Sequence, residues 1–155
     1  MITNNDILRR LRFAFDFNDS KMIKIFESAE CTVTRAQVSD WLKRDEDPAF
    51  KEMKDVELAT FLNGFINEMR GKKEGAQPLP EERLNNNIIF RKLKIALSLK
   101  DEDILEILLL ADFKMGKHEL SAFFRNPNQP QYRPCGDQVL RNFIKGLQVR
   151  YSDED

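Results

Sequence analysis

His118 is the sole histidine among 155 residues, and Cys31 and Cys135 are the only cysteines. Acid–base or metal chemistry at His118 would need Cys, Asp or Glu partners at ligand spacing, and no such cluster or CxxC pair occurs. His118 therefore reads as a surface residue at the start of a helix. Cys135 stands near a helix start, where a thiol can be activated, and Cys31 sits in a turn. The acidic run Asp45-Glu46-Asp47 reads as a solvated loop. Asp101-Glu102-Asp103 reads as a helix N-terminus favoured by the helix dipole. No glycine-rich phosphate loop occurs. The expectation is a chain with no catalytic residues, no metal site and no cofactor, and hence not an enzyme.

The other chemistry-bearing side chains are mostly basic. Arg9, Arg10 and Arg12 lie near the N-terminus, and Arg91, Lys92 and Lys94 lie in the second half. Arg35, Gln37, Lys43 and Arg44 fall within "VTRAQVSDWLKRDEDP", with Lys117 and Arg125 further on.

A repeat positions them. Adding 82 to a residue number in the first half gives its counterpart in the second, without a gap. Asn5 falls on Asn87, Arg9 on Arg91, Ala14 on Ala96, Asp19 on Asp101, Ile25 on Ile107, Asp55 on Asp137, Phe61 on Phe143 and Gly64 on Gly146. Conservative pairs fill the spaces, such as Trp41 with Phe123 and Phe50 with Tyr132. Cys31 falls on Phe113, so no thiol recurs, and neither cysteine reads as a nucleophile. The division is a first helical repeat over 1–70, a linker over 71–84 containing "GKKEGAQPLPEER", a second repeat over 85–152 and an acidic tail at 153–155. The tail "YSDED" reads as frayed.

Apolar residues recur at helical spacing, and β-branched residues never alternate over a useful length. The fold class is all-α: two tandem repeats of a four-to-five-helix bundle. In the first, Ile7, Leu8, Leu11 and Ala14 mark one helix. Asn18-Asp19-Ser20 can cap a second and Thr34 a third. A fourth runs from about Asp55 to Met69, with Asp55 as its expected cap. The second repeat places helices near 87–99, 102–112, 117–125 and 137–150. Phe50 and Tyr132 are expected to plug the core from the loop before the last helix, with an aromatic-plus-cation surface there as the alternative. Phe13, Phe17 and Leu109 lie off each unit's own apolar stripe, so the two units are expected to pack together and bury them.

Hydrophobic residues form 41% and charged residues 33% of the chain, and the net charge is −1, a globular composition. Residues 1–71 carry eleven basic and thirteen acidic side chains, and residues 85–155 eleven and ten. No apolar run approaches the roughly 20 residues that span a bilayer, and "MITNNDILRRLRF" lacks the features of a signal peptide. A cytoplasmic protein with reduced thiols and no membrane partner is the expectation.

The run "LRFAFDFNDSKMIKIFESAECTVTRAQVSDWLKRDEDP" resembles the repressor-type helix-turn-helix domains of phage and bacterial regulators, and "LKIALSLKDEDILEILLLADFKMGKHELSAFFRNPNQP" resembles them more faintly. In that likeness Ser28 takes the small position and Thr32 the turn position. It implies that the third helix faces a major groove, with Arg35, Gln37, Lys43 and Arg44, then Lys117 and Arg125, toward bases. Arg9, Arg12, Arg91 and Lys94 would then touch phosphates. "NNIIFRKLKIAL" with "PQYRPCGDQVLRNFIKGLQVRY" is similar to the YehS-like bacterial proteins. That likeness covers nearly the whole chain and carries no assigned activity. The expected function is a regulatory module binding DNA or RNA. The alternative, supported by near-neutral charge and by Asp19 and Asp101 at the second helix start, is a protein-interaction adaptor. A homo-oligomer is compatible with either.

Overall fold

The structure is a computed structural model that describes residues 2–152. Eight α-helices and no strands occur among them. The first repeat contains α1 (Asn4–Phe15), α2 (Asp19–Ser28), α3 (Arg35–Leu42) and α4 (Asp55–Arg70). The second contains α5 (Asn86–Ala96), α6 (Asp101–Leu110), α7 (Lys117–Ala122) and α8 (Asp137–Ser152).

Local chemistry accounts for most boundaries. Thr3, Asn18, Thr34 and Asn85 accept from backbone amides in the first turns of α1, α2, α3 and α5. At α3 the Gln37 side chain also accepts from the Thr34 amide at 2.8 Å, completing a capping box. Glu57, Asp103 and Glu119 make the same backward bond at α4, α6 and α7. α1, α2 and α6 are followed by Asp16, Glu30 and Asp112 in the left-handed region, and Ser98 takes that conformation two residues after α5. These four are counterparts across the repeat. The left-handed residue of the expected helix-turn-helix is thus Glu30, with Asp112 in the second repeat, and not Thr32. α7 ends at Ala122, earlier than expected, because Phe123 and Phe124 donate to the tighter i−3 carbonyls of Leu120 and Ser121.

The repeats pack by exchanging their first helices. α1 touches its own α4 only lightly and lies along α8, while α5 lies along α4. Both pairs are parallel. Ile2 meets Asp137 at the start of α8, and the Phe15 ring meets the Tyr151 ring near its end, 4.9 Å between centroids. Leu84 likewise meets Asp55 at the start of α4, and Arg70 reaches Ile95 and Ser98 at the far end. The second helix of each repeat runs antiparallel to the last, with Lys21 against Glu68 and Ile25 against Gly64. A Cβ on Gly64 would lie 1.9 Å from the Ile25 carbonyl oxygen, and one on Gly146 2.1 Å from that of Ile107. Glycine sits inside both last helices because the backbones touch there.

One core cluster spans both repeats, with Phe26, Phe61, Phe65, Phe90 and Phe143 fully buried. The expectation that the units pack together holds, but two of the side chains offered for it do not take part. Phe13 stays 60% and Leu109 55% exposed. Phe17 is half-buried against Phe15 and Phe65. Residues Tyr151 and Ser152 are not a frayed tail: they continue α8, and Tyr151 packs on the core. The acidic tail at 153–155 lies outside the described residues.

Candidate functional site

The outward surface of α3 is open. Arg35, Ala36, Gln37 and Arg44 are exposed, and α3 packs on α1 and α2 within its own repeat. The cations expected to meet nucleic acid are largely engaged inside the molecule. Arg9 donates to the Lys43 carbonyl at 2.6 Å and to Asp6 at 2.6 Å. Lys43 pairs with Asp40 at 3.1 Å and also donates to Ser39. Arg35 reaches back to Ser20 at 2.6 Å and Asp19 at 4.0 Å. Its counterpart Lys117 makes the equivalent link to Glu102 at 2.9 Å. The hydrogen bond between them holds the Glu102 carboxyl below, and the Lys117 ammonium above, their ordinary values. Lys94 pairs with Asp101 at 3.1 Å and lies 4.3 Å over the Phe124 ring. Gln37 is occupied by its capping box.

Arg44 and Arg125 are exposed and make no ion pair among the described residues, and Arg91 is half-buried. The Arg12 Nε is buried with no hydrogen-bond partner. Of the ten side chains, Arg9, Arg35, Gln37, Lys43, Lys94 and Lys117 therefore have partners within the molecule. Over residues 35–57 there are five basic and seven acidic side chains, and over the matching 117–139 three and two. The two third-helix regions differ in sign.

Beside α3 lies a groove of about 300 Å³ with Trp41 and Ala36 in its lining. Its charged lining mixes Asp40, Glu52 and Glu57 with Lys51 and Lys54.

A second constellation sits where four helices begin. Asn4 donates to Asp55 at 2.7 Å, and Asn86 to Asp137 at 2.8 Å. The remaining oxygens cross between repeats: Asp55 accepts from the Leu84 amide at 2.8 Å, and Asp137 from the Ile2 amide at 3.2 Å. These bonds join the starts of α1, α4, α5 and α8 in a closed ring. Four positive helix ends surround two carboxylates, a favourable arrangement. The Asn86 hydrogen bond is the largest cause holding the Asp137 carboxyl below its ordinary value. Neither aspartate serves as a side-chain cap, the role expected from the sequence. Each is the first helical residue, and its oxygens are taken up by the ring. A cleft of about 370 Å³ borders the ring, with the half-exposed Tyr132 ring in its wall. Phe50 is also only half-buried, so neither ring plugs the core.

Asn5 and Asn87 form the next layer. Buried Asn5 donates to the Trp41 and Lys51 carbonyls and accepts from the Met53 amide, all within 2.8–2.9 Å. Asn87 repeats this with Phe123, Arg133 and Cys135. Each staples the loop after the third helix to the first helix. Sequence reasoning matches Asn5 with Asn87 but gives them no task. The available signal is an identical polar residue at the repeat spacing on an otherwise apolar helix face.

Burial pushes the Cys135 thiol up to about 12, and burial also raises Cys31. His118 is exposed. Among the described residues no group of three or more His, Cys, Asp or Glu side chains is placed to hold a metal ion. No helix among them is long and apolar enough to cross a membrane.

Comparison with known proteins relates the sequence to a family without assigning it a task. A family described as a protein of unknown function (DUF1456) matches residues 4–71 and again residues 86–152. The uncharacterized protein YehS of Escherichia coli (strain K12) is 42% identical over 148 residues, covering 95% of each chain. No solved structure matches.

Proposed function

The chain belongs to the DUF1456 family, and from that premise we propose that it is a non-enzymatic protein-binding module whose docking face is the α3 groove of the first repeat. The supporting observation is the groove's lining: charges of both signs over the edge of the core residue Trp41, in a region with an acidic surplus. An acidic surplus favours a protein segment carrying Lys or Arg and opposes a polyphosphate. The engagement of the half-buried Arg9, Lys43 and Lys94 points the same way.

The nucleic-acid reading rests on Arg44 and Arg125, exposed and without ion pairs among the described residues. One experiment separates the two. The full chain and the A36R/E52K variant, which fills and recharges the groove rim without touching a cap, are used as baits, and captured proteins are quantified. Each is also titrated by anisotropy against mixed DNA and RNA at low salt. The expected result is a defined partner that the variant loses at least tenfold, with no nucleic-acid binding. Salt-dependent nucleic-acid binding weakened by Arg44→Ala or Arg125→Ala, with no partner sensitive to the groove variant, overturns the proposal.

A further inference from the structure

The interface between the repeats has the form of a homodimer interface. The α1 face meets α8 and the α5 face meets α4, so one patch meets its complement twice, as across a two-fold axis. The polar clamps are reciprocal as well: the Ile2 amide donates to Asp137 and the Leu84 amide to Asp55. Within a repeat the first and last helices hardly touch. A repeat by itself leaves its α1 or α5 face without the helix that covers it.

What keeps the pairing inside one chain is the segment between Arg70 and Asn86. It is mostly exposed and is tied down by a few polar contacts, among them Asn67 with Gln77, Lys72 with Glu30 and Lys92 with Glu81. Because α4 and α5 are parallel, this segment must return along the length of α4. Sixteen residues at 1.5 Å make that length about 24 Å. The natural segment of fifteen residues reaches about 50 Å, so closure on itself is easy.

We propose that the surface formed by α1 with α8 and by α5 with α4 is a self-association surface, fitted to the corresponding repeat of a second copy of this chain. A reciprocally exchanged dimer makes the same helix contacts, the same ring of four helix starts and the same two clamps as the closed monomer. The segment selects the monomer by effective concentration, in the millimolar range for a short flexible connection. No new contact is needed for the dimer, only a connection unable to close.

The test removes residues 73–83. Four residues then remain between the helices and reach roughly 17 Å, short of the return distance. The retained Leu84 keeps its clamp to Asp55. Light scattering on the deletion variant is expected to give twice the monomer mass, with helix content by circular dichroism unchanged. A folded monomer overturns the proposal. Should the variant fail to fold, the full-length chain with a protease site at residues 73–76 is folded first and then cut. The halves are expected to stay together as a one-to-one complex and to exchange with halves of a second, isotopically labelled preparation. Halves that separate as folded monomers, or that never exchange, overturn it.

Discussion

The Asp137 carboxylate accepts the Ile2 amide across 135 positions of chain at 3.2 Å, and the same carboxylate accepts Asn86 at 2.8 Å. One side chain therefore holds the start of each first helix against the last helix of the second repeat. Its pKa lies below the ordinary value of 3.8, with the Asn86 hydrogen bond as the largest cause. A lowered carboxyl pKa contributes stability that is fully present above 3.8 and is lost as pH falls through the folded-state value. Asp137→Asn is expected to lower the Tm at pH 7, and the gap to the wild type is expected to shrink as pH falls below about 3.8. Thermal melts from neutral pH down through that value check this. A gap independent of pH would mean that the charge has no part in the clamp.

Asn5 pairs three backbone groups, the Trp41 carbonyl and Met53 amide in buried bonds and the Lys51 carbonyl in a part-buried one. Truncation to alanine leaves the two buried groups unpaired, at about 1–3 kcal/mol per group before relaxation. Asn5→Ala is expected to cost about 3 kcal/mol in urea unfolding, and Asn87→Ala a similar amount. A loss below 1 kcal/mol at both would show that the loops hold themselves.

Gly64 is a poor helix former in the middle of α4, and alanine there would gain about 1 kcal/mol on propensity alone. The Ile25 carbonyl oxygen, 1.9 Å from where a Cβ would stand, reverses the sign, since backbone rather than a flexible tip must move. Gly64→Ala is expected to destabilise by about 2 kcal/mol or more. Gly136→Ala, before the first residue of α8 and with nothing within 4 Å of its Cβ, is the control without a backbone clash and is expected to cost under about 1 kcal/mol. Chemical denaturation of the two variants decides between propensity and contact.

The helices and their starts are legible in the sequence because each depends on a few neighbouring residues: Asn18 and Thr34 cap where their types predict, and the 82-residue spacing pairs the buried positions. The exchange of first helices is not legible. Periodicity shows that Ile7, Leu8 and Leu11 face something apolar, and α4 and α8 both present an apolar face, with Leu58 and Phe61 matched by Leu140 and Phe143, so the pattern cannot say which repeat supplies the partner. Asp55 shows the same limit at the site. An aspartate opening a helix reads as a cap, and only the placement of Leu84 reveals a clamp. The basic residues of α3 are legible by type but not by engagement. Arg35 and Asp19 lie sixteen residues apart, and their pairing depends on how closely α2 and α3 cross.

Cys135 reports on the ring from within. Its carbonyl accepts from Asn86 at 3.0 Å, its amide donates to Asn87, and burial holds its thiol up at about 12. At pH 8 such a thiol stays protonated, and the thiolate is the reactive form. Cys31 is half-buried and only raised, so a thiol reagent is expected to label Cys31 first. Labelling of Cys135 then tracks opening of the segment between α7 and α8. Asp137→Asn loosens that opening at its hinge with the ring. It is expected to speed Cys135 labelling several-fold while leaving Cys31 unchanged, read by mass spectrometry of the labelled peptides. Equal acceleration at both thiols would indicate global unfolding instead, and no acceleration at either would detach Asp137 from the packing around Cys135.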